Sequence, residues 1–480
     1  MADRNSSDIP KSAPGLKKDA VKFWGLVFYA VSIIFPAGAF AVTGVTAMVF
    51  GGITAPLAFL IAGASLFLAI IAVYVFSERI ANAGGYFKFV EAGTQNKYIS
   101  KSVGFYHLFW VVGDMVGASI VVGWFVYVSL IALFNYTLPF YAVVLLSLIV
   151  PVLYLIVGYL GIKVATTTAL FIGLVQIVFF VIVSVGLLIL SHHHSLAPFN
   201  IVNSTNGLYG FFLAMVVGAF LAYGGYGSVV SLGEEAKLAK KSLKKAIVAA
   251  LLIMVSFDTF VVYAIVASSG SNFDTVVGSF APGIYLAHQY MGIDIAFLAF
   301  LMVIFAQISS PVIFGNSGAR TIFALARDGV LPKGLASVHK KYQSPHVATV
   351  WLFIVLVVGV VVTLVGFVTA LGVANGLFYG FSAWFTAITI FTLLYHIITN
   401  QSLAFFLRRI KMKINIPFHI IGPGIASAIM AIAIYYSLAG LSGPLLVADY
   451  MIVIWIILSI IIIYMRRGKL KVDSIEELTR

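Results

Sequence analysis

Read from its first residue, the chain alternates long apolar runs with short polar ones. A polar stretch from Met1 to Val21 is followed by apolar runs that recur until Tyr464. Each is roughly 20 residues or more, long enough to cross a hydrocarbon core of about 30 Å as a helix. The pattern predicts twelve spans, at 22–49, 53–77, 104–133, 139–160, 163–190, 208–231, 244–268, 292–319, 346–367, 372–399, 417–440 and 445–465. The expected fold class is an all-α polytopic membrane protein. Residues 22–466 read as one transmembrane domain and 467–480 as a cytosolic tail. Residues 1–21 carry Pro10, Pro14 and Gly15 and lack the apolar core and small-residue cleavage site of a signal peptide, so they read as a disordered cytosolic tail.

Two spans are irregular inside. In the first, Ser32-Ile-Ile-Phe-Pro36-Ala-Gly38-Ala sits at mid-membrane, where Pro36 lacks an amide donor and Gly38 tolerates non-helical dihedrals. In the sixth, Ala222-Tyr-Gly224-Gly225-Tyr-Gly227 puts three glycines into six residues. Both helices are expected to break. Unwound backbone at that depth survives only where it faces protein or a wet cavity, so the breaks mark a cavity. Breaks in the first and sixth spans are equivalent if about 22–190 and 208–399 are two five-helix repeats. The second repeat would then be inverted, with extra helices at about 417–465.

Composition agrees: 62% of the 480 residues are hydrophobic and 9% charged, too few charges to clothe a soluble globule. The net charge of +13 matters through its placement. All 29 Lys and Arg fall in, or at the edge of, segments that the twelve spans put on one face. By the positive-inside rule both termini are expected in the cytosol, with anionic headgroups rather than nucleic acid as the charged partner, and the plasma membrane is the expected location. The absence of cysteine excludes disulfides, thiolate metal sites and cysteine nucleophiles. Asn135-Tyr-Thr and Asn203-Ser-Thr match the glycosylation acceptor pattern on the other face.

Three stretches carry a family resemblance: Phe220-Leu-Ala-Tyr-Gly-Gly-Tyr-Gly-Ser-Val-Val-Ser-Leu-Gly-Glu234-Glu235-Ala-Lys237, Ala324-Leu-Ala-Arg327-Asp328-Gly329-Val-Leu-Pro332, and Ala83-Gly84-Gly85-Tyr86. In order, spacing and side, the chain resembles the amino acid–polyamine–organocation permeases. The resemblance implies a ligand held between the broken first and sixth helices, by Ile34, Phe35, Pro36, Ala37 and Gly38 from one and Tyr223, Gly224, Gly225 and Tyr226 from the other. Half-helix ends suit a zwitterion, amides attracting a carboxylate and carbonyls an ammonium. The chain departs from some family members at Gly227, where they carry an acid. It also departs at Gln176, where proton-coupled members carry a lysine. Ser309 and Ser310 lie near the paired hydroxyls of sodium-driven relatives; back-bonding to the preceding turn is the simpler reading.

Asp114 and Asp258 are the two acids well inside the apolar spans, where an ionised carboxylate costs several kcal/mol. Each is a candidate proton carrier, and Asp114 would pair with a cationic substrate if it faces the cavity. His107 reads as an interfacial histidine and His192, His193 and His194 as an ordinary outer loop. Arg327 and Asp328 are expected to engage Glu234 or Glu235 as a cytosolic gate. No metal or intramembrane protease motif is present, so an enzyme is not expected. The expectation is an alternating-access carrier of amino acids, neutral or apolar ones first, with related amines as the alternative substrate. It needs no cofactor, and the coupling ion is the proton, with sodium or exchange as alternatives.

Overall fold

The structure is a computed structural model that describes residues 16–134, 136–160, 162–279 and 281–479. Twelve helical spans among them are long and apolar enough to cross a membrane. The protein is a multi-pass α-helical membrane protein. Several spans outrun their apolar cores on one side. The third helix covers Lys97–Phe134, the eighth Ile293–Arg327 and the tenth Val373–Arg409. Hydropathy had put their charged ends outside the helices, near 104, 319 and 399. The helices continue because their cations find carboxylates or carbonyls, which offsets the cost of burying them.

The basic segments expected to share a face do meet. The Lys237 amide donates to Val21 O (2.9 Å), Arg409 Nε to Gly93 O (3.0 Å), Ser344 Oγ to Tyr159 O (2.9 Å) and Lys97 Nζ to Arg467 O (3.0 Å). We call this the basic face. A short helix, Tyr86–Thr94, lies along it between the second and third spans. Residues 16–21, read from sequence as part of a disordered tail, pack here instead. Leu16 is buried against Ala83 and Phe323, and Val21 pairs with the segment after the sixth span.

The first crossing is in three pieces, Phe23–Ile34, Pro36–Ala41 and Thr43–Gly51. Phe35 between the first two is left-handed (φ 66°, ψ 77°), which is costly for a side-chain-bearing residue and sits where Pro36 ends the amide ladder. Gly52 (φ +63°) then turns the chain toward the second crossing, Ala55–Ser77. The sixth crossing passes from α-helix (Gly207–Ala214) through a π turn (Met215–Phe220) into a nine-residue 3-10 stretch, Gly224–Leu232. Both expected breaks are present. They touch: a Cβ on Gly225 would lie 2.5 Å from Ile33 Cγ2 and 2.9 Å from the Ile33 carbonyl carbon, so only glycine allows this approach.

Candidate functional site

A cavity opens where the two breaks meet. Ile33, Ile34, Phe35, Val42 and Thr43 of the first span face Leu221, Ala222 and Gly225 of the sixth. Trp110, Asp114 and Ala118 line it from the third span, Gln307, Ser310 and Pro311 from the eighth, and Phe385 from the tenth. Its volume is about 50 Å³, room for a few waters. The walls are apolar with few polar groups, and three of these lack a partner. Gln307 Nε2 and Thr43 Oγ1 are buried without a partner, and the Asp114 carboxylate makes no hydrogen bond among the described residues. Buried polar groups normally find partners, and three that miss them around one cavity are what a polar ligand would satisfy. Ser310 Oγ instead donates to Ser32 O (2.5 Å), tying the eighth span to the carbonyl end of the first break.

Toward the basic face the cavity is floored by packed aromatic rings. Trp110 and Tyr395 flank His107, and Tyr86, Tyr226 and Tyr395 surround His396 with centroids 4.5–5.4 Å away. A carbonyl only accepts, so His396 Nδ1 donates to Thr392 O (2.8 Å); its Nε2 meets the Tyr86 hydroxyl at 3.3 Å. Glycine makes room here too, since a Cβ on Gly227 would fall 1.6 Å from that hydroxyl. Away from the basic face, Phe385, Val42 and Leu221 separate the cavity from a second one of about 130 Å³.

Below the rings, two arginines a helical seven apart reach the acidic pair after the sixth span. Arg320 grips Glu235 through Nε and Nη2, both residues being 1% exposed, and its Nη1 donates to Asn316 O (2.8 Å). Arg327 Nη2 donates to Glu234 Oε1 (2.8 Å) and to Asn82 Oδ1 (3.1 Å). Beside them lies a second, larger network. Lys88 Nζ meets Glu91 (2.8 Å), Asp328 (2.7 Å) and Asp473 of the C-terminal tail (2.7 Å), while Lys101 meets Glu91 and Asp328. Burial is the largest influence on the Lys88 amine and works against its charge, but Asp328 and Glu91 outweigh it and lift the pKa above its usual range. Burial also pushes Asp473 upward, yet its hydrogen bond to Lys88 and the charges of Lys88, Lys101 and Arg327 hold it below the usual carboxylate range.

The profile of the amino acid permease family matches residues 25–476. The chain belongs to that family. Among curated relatives, this permease is 29% identical over 148 residues to the branched-chain amino acid permease BcaP of Bacillus subtilis, 31% of each chain. It is 24% identical over 185 residues to the protein of the same name from Lactococcus lactis, 38% of this chain and 39% of that one. An uncharacterized transporter of Mycobacterium tuberculosis is 31% identical over 148 residues, 30% of this chain and 31% of its own. The matched stretches thus span about a third of these relatives' length. Membership in a family of permeases also bears out the expectation of a transporter rather than an enzyme.

Of the residues expected at this permease's ligand site, Ile34, Phe35 and Gly225 line the cavity, and Pro36, Ala37, Gly38 and Gly224 lie beside it without lining it. Tyr223 and Tyr226 point elsewhere. Tyr223 donates to Phe59 O in the second span (3.3 Å), and Tyr226 packs on His396 in the aromatic floor. Leu221 and Ala222 of the short α-turn Leu221–Tyr223 and Gly225 of the 3-10 stretch take the cavity side, while Tyr223 turns to the second span and Tyr226 to the aromatic floor. Asp114 is at the cavity; Asp258 is buried with both oxygens unpartnered, outside the cavity lining. Gln176 is buried with both amide atoms unpartnered and does not line the cavity either. Ser309 back-bonds to Ala306 O (3.3 Å), unlike Ser310.

At the basic face Arg327 does engage Glu234, whereas Asp328 turns to Lys88 and Lys101, and Glu235 takes Arg320. His107 is buried rather than interfacial, its Nδ1 2.9 Å from Thr321 Oγ1. His192, His193 and His194 are exposed, and among the described residues no three His, Asp or Glu side chains converge as a metal site. Asn203 is exposed on the other face, and Asn135 lies outside the described residues. Sequence reasoning missed Arg320, Gln307, Lys88, Lys101, His396 and the aromatic floor. The available signal was an ionisable or amide side chain inside an apolar span, which Gln307 and His396 give and Arg320, just past the expected end of the eighth span, does not.

Proposed function

We propose that this protein is a secondary active transporter of apolar amino acids, branched-chain ones foremost, that works by alternating access and proton symport. The observation that carries the reading is the cavity between the two broken spans, with one unpartnered acid, an unpartnered amide and hydrophobic walls. An amino acid's carboxylate suits the Gln307 amide, whose nitrogen is buried at the cavity without a partner. Ile34, Phe35, Leu221 and Phe385 offer its side chain a hydrophobic surround. The names of the two BcaP relatives favour the branched-chain class.

Asp114 carries the proton. Closing the site around an ionised carboxylate costs several kcal/mol, and a proton taken up from outside removes that cost. Sodium is disfavoured because Ser309 and Ser310 donate in different directions, to Ala306 O and Ser32 O. On this reading the basic face is cytosolic, as the positive-inside rule favours, with both termini inside, and the membrane is the plasma membrane. Arg320–Glu235 and Arg327–Glu234 then hold the cytosolic gate shut.

The test is uptake of labelled leucine, isoleucine, valine and lysine into proteoliposomes, with proton and sodium gradients imposed separately. Leucine, isoleucine and valine should accumulate with an inward proton gradient. Asp114→Asn should lose that drive while Asp258→Asn keeps it. Sodium-driven uptake, a preference for lysine, or full proton drive in Asp114→Asn would each overturn the corresponding part.

A further inference from the structure

The basic face holds a second cavity that the transport reading does not use. It measures about 400 Å³ and is lined by Ala326, Arg327, Gly329, Leu331 and Lys333 on one wall and Arg466, Lys469 and Lys471 on the other. Five of these eight residues are cations, and no acid lines it. The nearby carboxylates are already taken: Glu234 by Arg327, and Asp328 and Asp473 by Lys88. Lys333, Arg466, Lys469 and Lys471 have no ion-pair partner among the described residues. Four uncompensated cations facing one hollow repel each other, and the protein nonetheless holds them together through its backbone. The Lys471 amide donates to Asp328 O (3.0 Å), and the Lys469 carbonyl oxygen lies against Gly329, 2.2 Å from where a Cβ would be. Gly329 also has φ +83°, a conformation that favours glycine.

The depth of this cavity is set by the twelfth span. Tyr464 and Met465 at its end are among the most exposed large apolar side chains, as lipid-facing residues are, and Arg466 follows at once. The hollow therefore sits at headgroup level.

We propose that this cavity is a binding site for a phosphate-bearing anion, the headgroup of an anionic phospholipid or a free phosphate. A tetrahedral phosphate offers several acceptor oxygens to lysine and arginine donors converging from two walls. The two walls belong to different parts of the machine. One continues the eighth span, whose Arg327 and Asp328 join the basic-face ion pairs, and the other is the tail whose Asp473 meets Lys88. A bound phosphate joins them and holds the tail down over the closed basic face. Binding stands apart from the substrate and coupling proposals, because its readout needs no transport.

The experiment follows thermal unfolding of the purified full-length protein in detergent at fixed ionic strength. The probes are mixed micelles of phosphatidylglycerol, mixed micelles of phosphatidylcholine, and inorganic phosphate. Phosphatidylglycerol should raise the unfolding midpoint and phosphatidylcholine should not. The concentration needed should rise about fivefold for each lysine removed, in Lys469→Gln and Lys471→Gln and, on the opposite wall, Lys333→Gln. The three side chains are exposed, so the variants should unfold at the parent's midpoint when no anion is added; if one does not fold, the remaining wall carries the test. A shift with inorganic phosphate alone that the variants weaken supports the site with a free phosphate as its ligand. A shift equal in parent and variants, or none with any phosphate-bearing probe, overturns the proposal.

Discussion

Replacing Glu235 by alanine should unlock the basic face. Arg320 and Glu235 are both 1% exposed and joined by two nitrogen–oxygen contacts, and among the described residues the only other hydrogen-bond partner of the guanidinium is Asn316. Removing one member of such a pair leaves a buried charge uncompensated, which costs about 3–5 kcal/mol. Arg320 belongs to the eighth span and Glu235 follows the sixth, so opening the basic face separates them and lets water reach the guanidinium. The cost is then borne by the closed form, and the ratio of open to closed should rise roughly 10²- to 10⁴-fold. The chain contains no cysteine, so Ala118→Cys on the cavity wall gives a single reporter. The assay is its labelling by a membrane-impermeant maleimide in sealed vesicles with the basic face outward. Glu235→Ala should accelerate labelling at least tenfold over the single-cysteine parent. The exposed pair is the internal control: Arg327 and Glu234 side chains are 38% and 24% exposed, such pairs contribute about 0–1 kcal/mol, and Arg327→Ala should change the rate severalfold at most. Unchanged labelling in a Glu235→Ala protein that is folded but less stable would refute the reasoning, since the pair would then serve the fold alone.

Two further substitutions probe geometry and charge. Gly225→Ala puts a methyl against the Ile33 backbone, an overpacking of about 1–3 kcal/mol that should abolish uptake in proteoliposomes; Gly278→Ala, with nothing within 4 Å of its Cβ, should leave uptake unchanged. Asp473 has its folded pKa depressed, so its contribution is present above its unfolded pKa and is lost only as pH falls through the lower folded one. Hydrogen exchange of 471–479, referenced to the intrinsic rate at each pH, should show a protected tail at neutral pH that loosens only below the ordinary carboxylate range. Asp473→Asn should expose it already at neutral pH.

The parts of this protein written in runs of like residues were the parts that could be read in advance. Twelve apolar stretches gave twelve spans, and Pro36 and the glycines at 224, 225 and 227 gave both breaks, because each acts on the backbone within a turn of itself. What failed depended on direction or on distant partners. Whether Tyr223 or Ala222 faces the cavity turns on how the short turn Leu221–Tyr223 is rotated between the π turn before it and the 3-10 stretch after it, and residue identity alone leaves those windings open. Arg320 looked like a loop residue because hydropathy ends a span at its first charge; Glu235, 85 positions away, is what lets the helix continue. Lys88 and Asp473 are 385 residues apart, and nothing local to either announces the other.

The closures on the two sides of the cavity are unequal, and that inequality points to the state the structure represents. Toward the basic face lie the aromatic floor, two arginine–glutamate pairs and the docked tail. On the other side Phe385, Val42 and Leu221, among the described residues, line both the 50 Å³ cavity and its 130 Å³ neighbour. On the alternating-access mechanism proposed above, a cavity too small for an amino acid, thickly closed on one side and thinly on the other, corresponds to an occluded form nearest to opening away from the basic face. Phe385 contributes the largest side chain of the thin barrier, so Phe385→Ala should merge the two cavities. The same Ala118→Cys reporter should then label faster from the face opposite the basic one, and at an unchanged rate from the basic face. Faster labelling from the basic face alone would reverse the assignment of which side is poised to open.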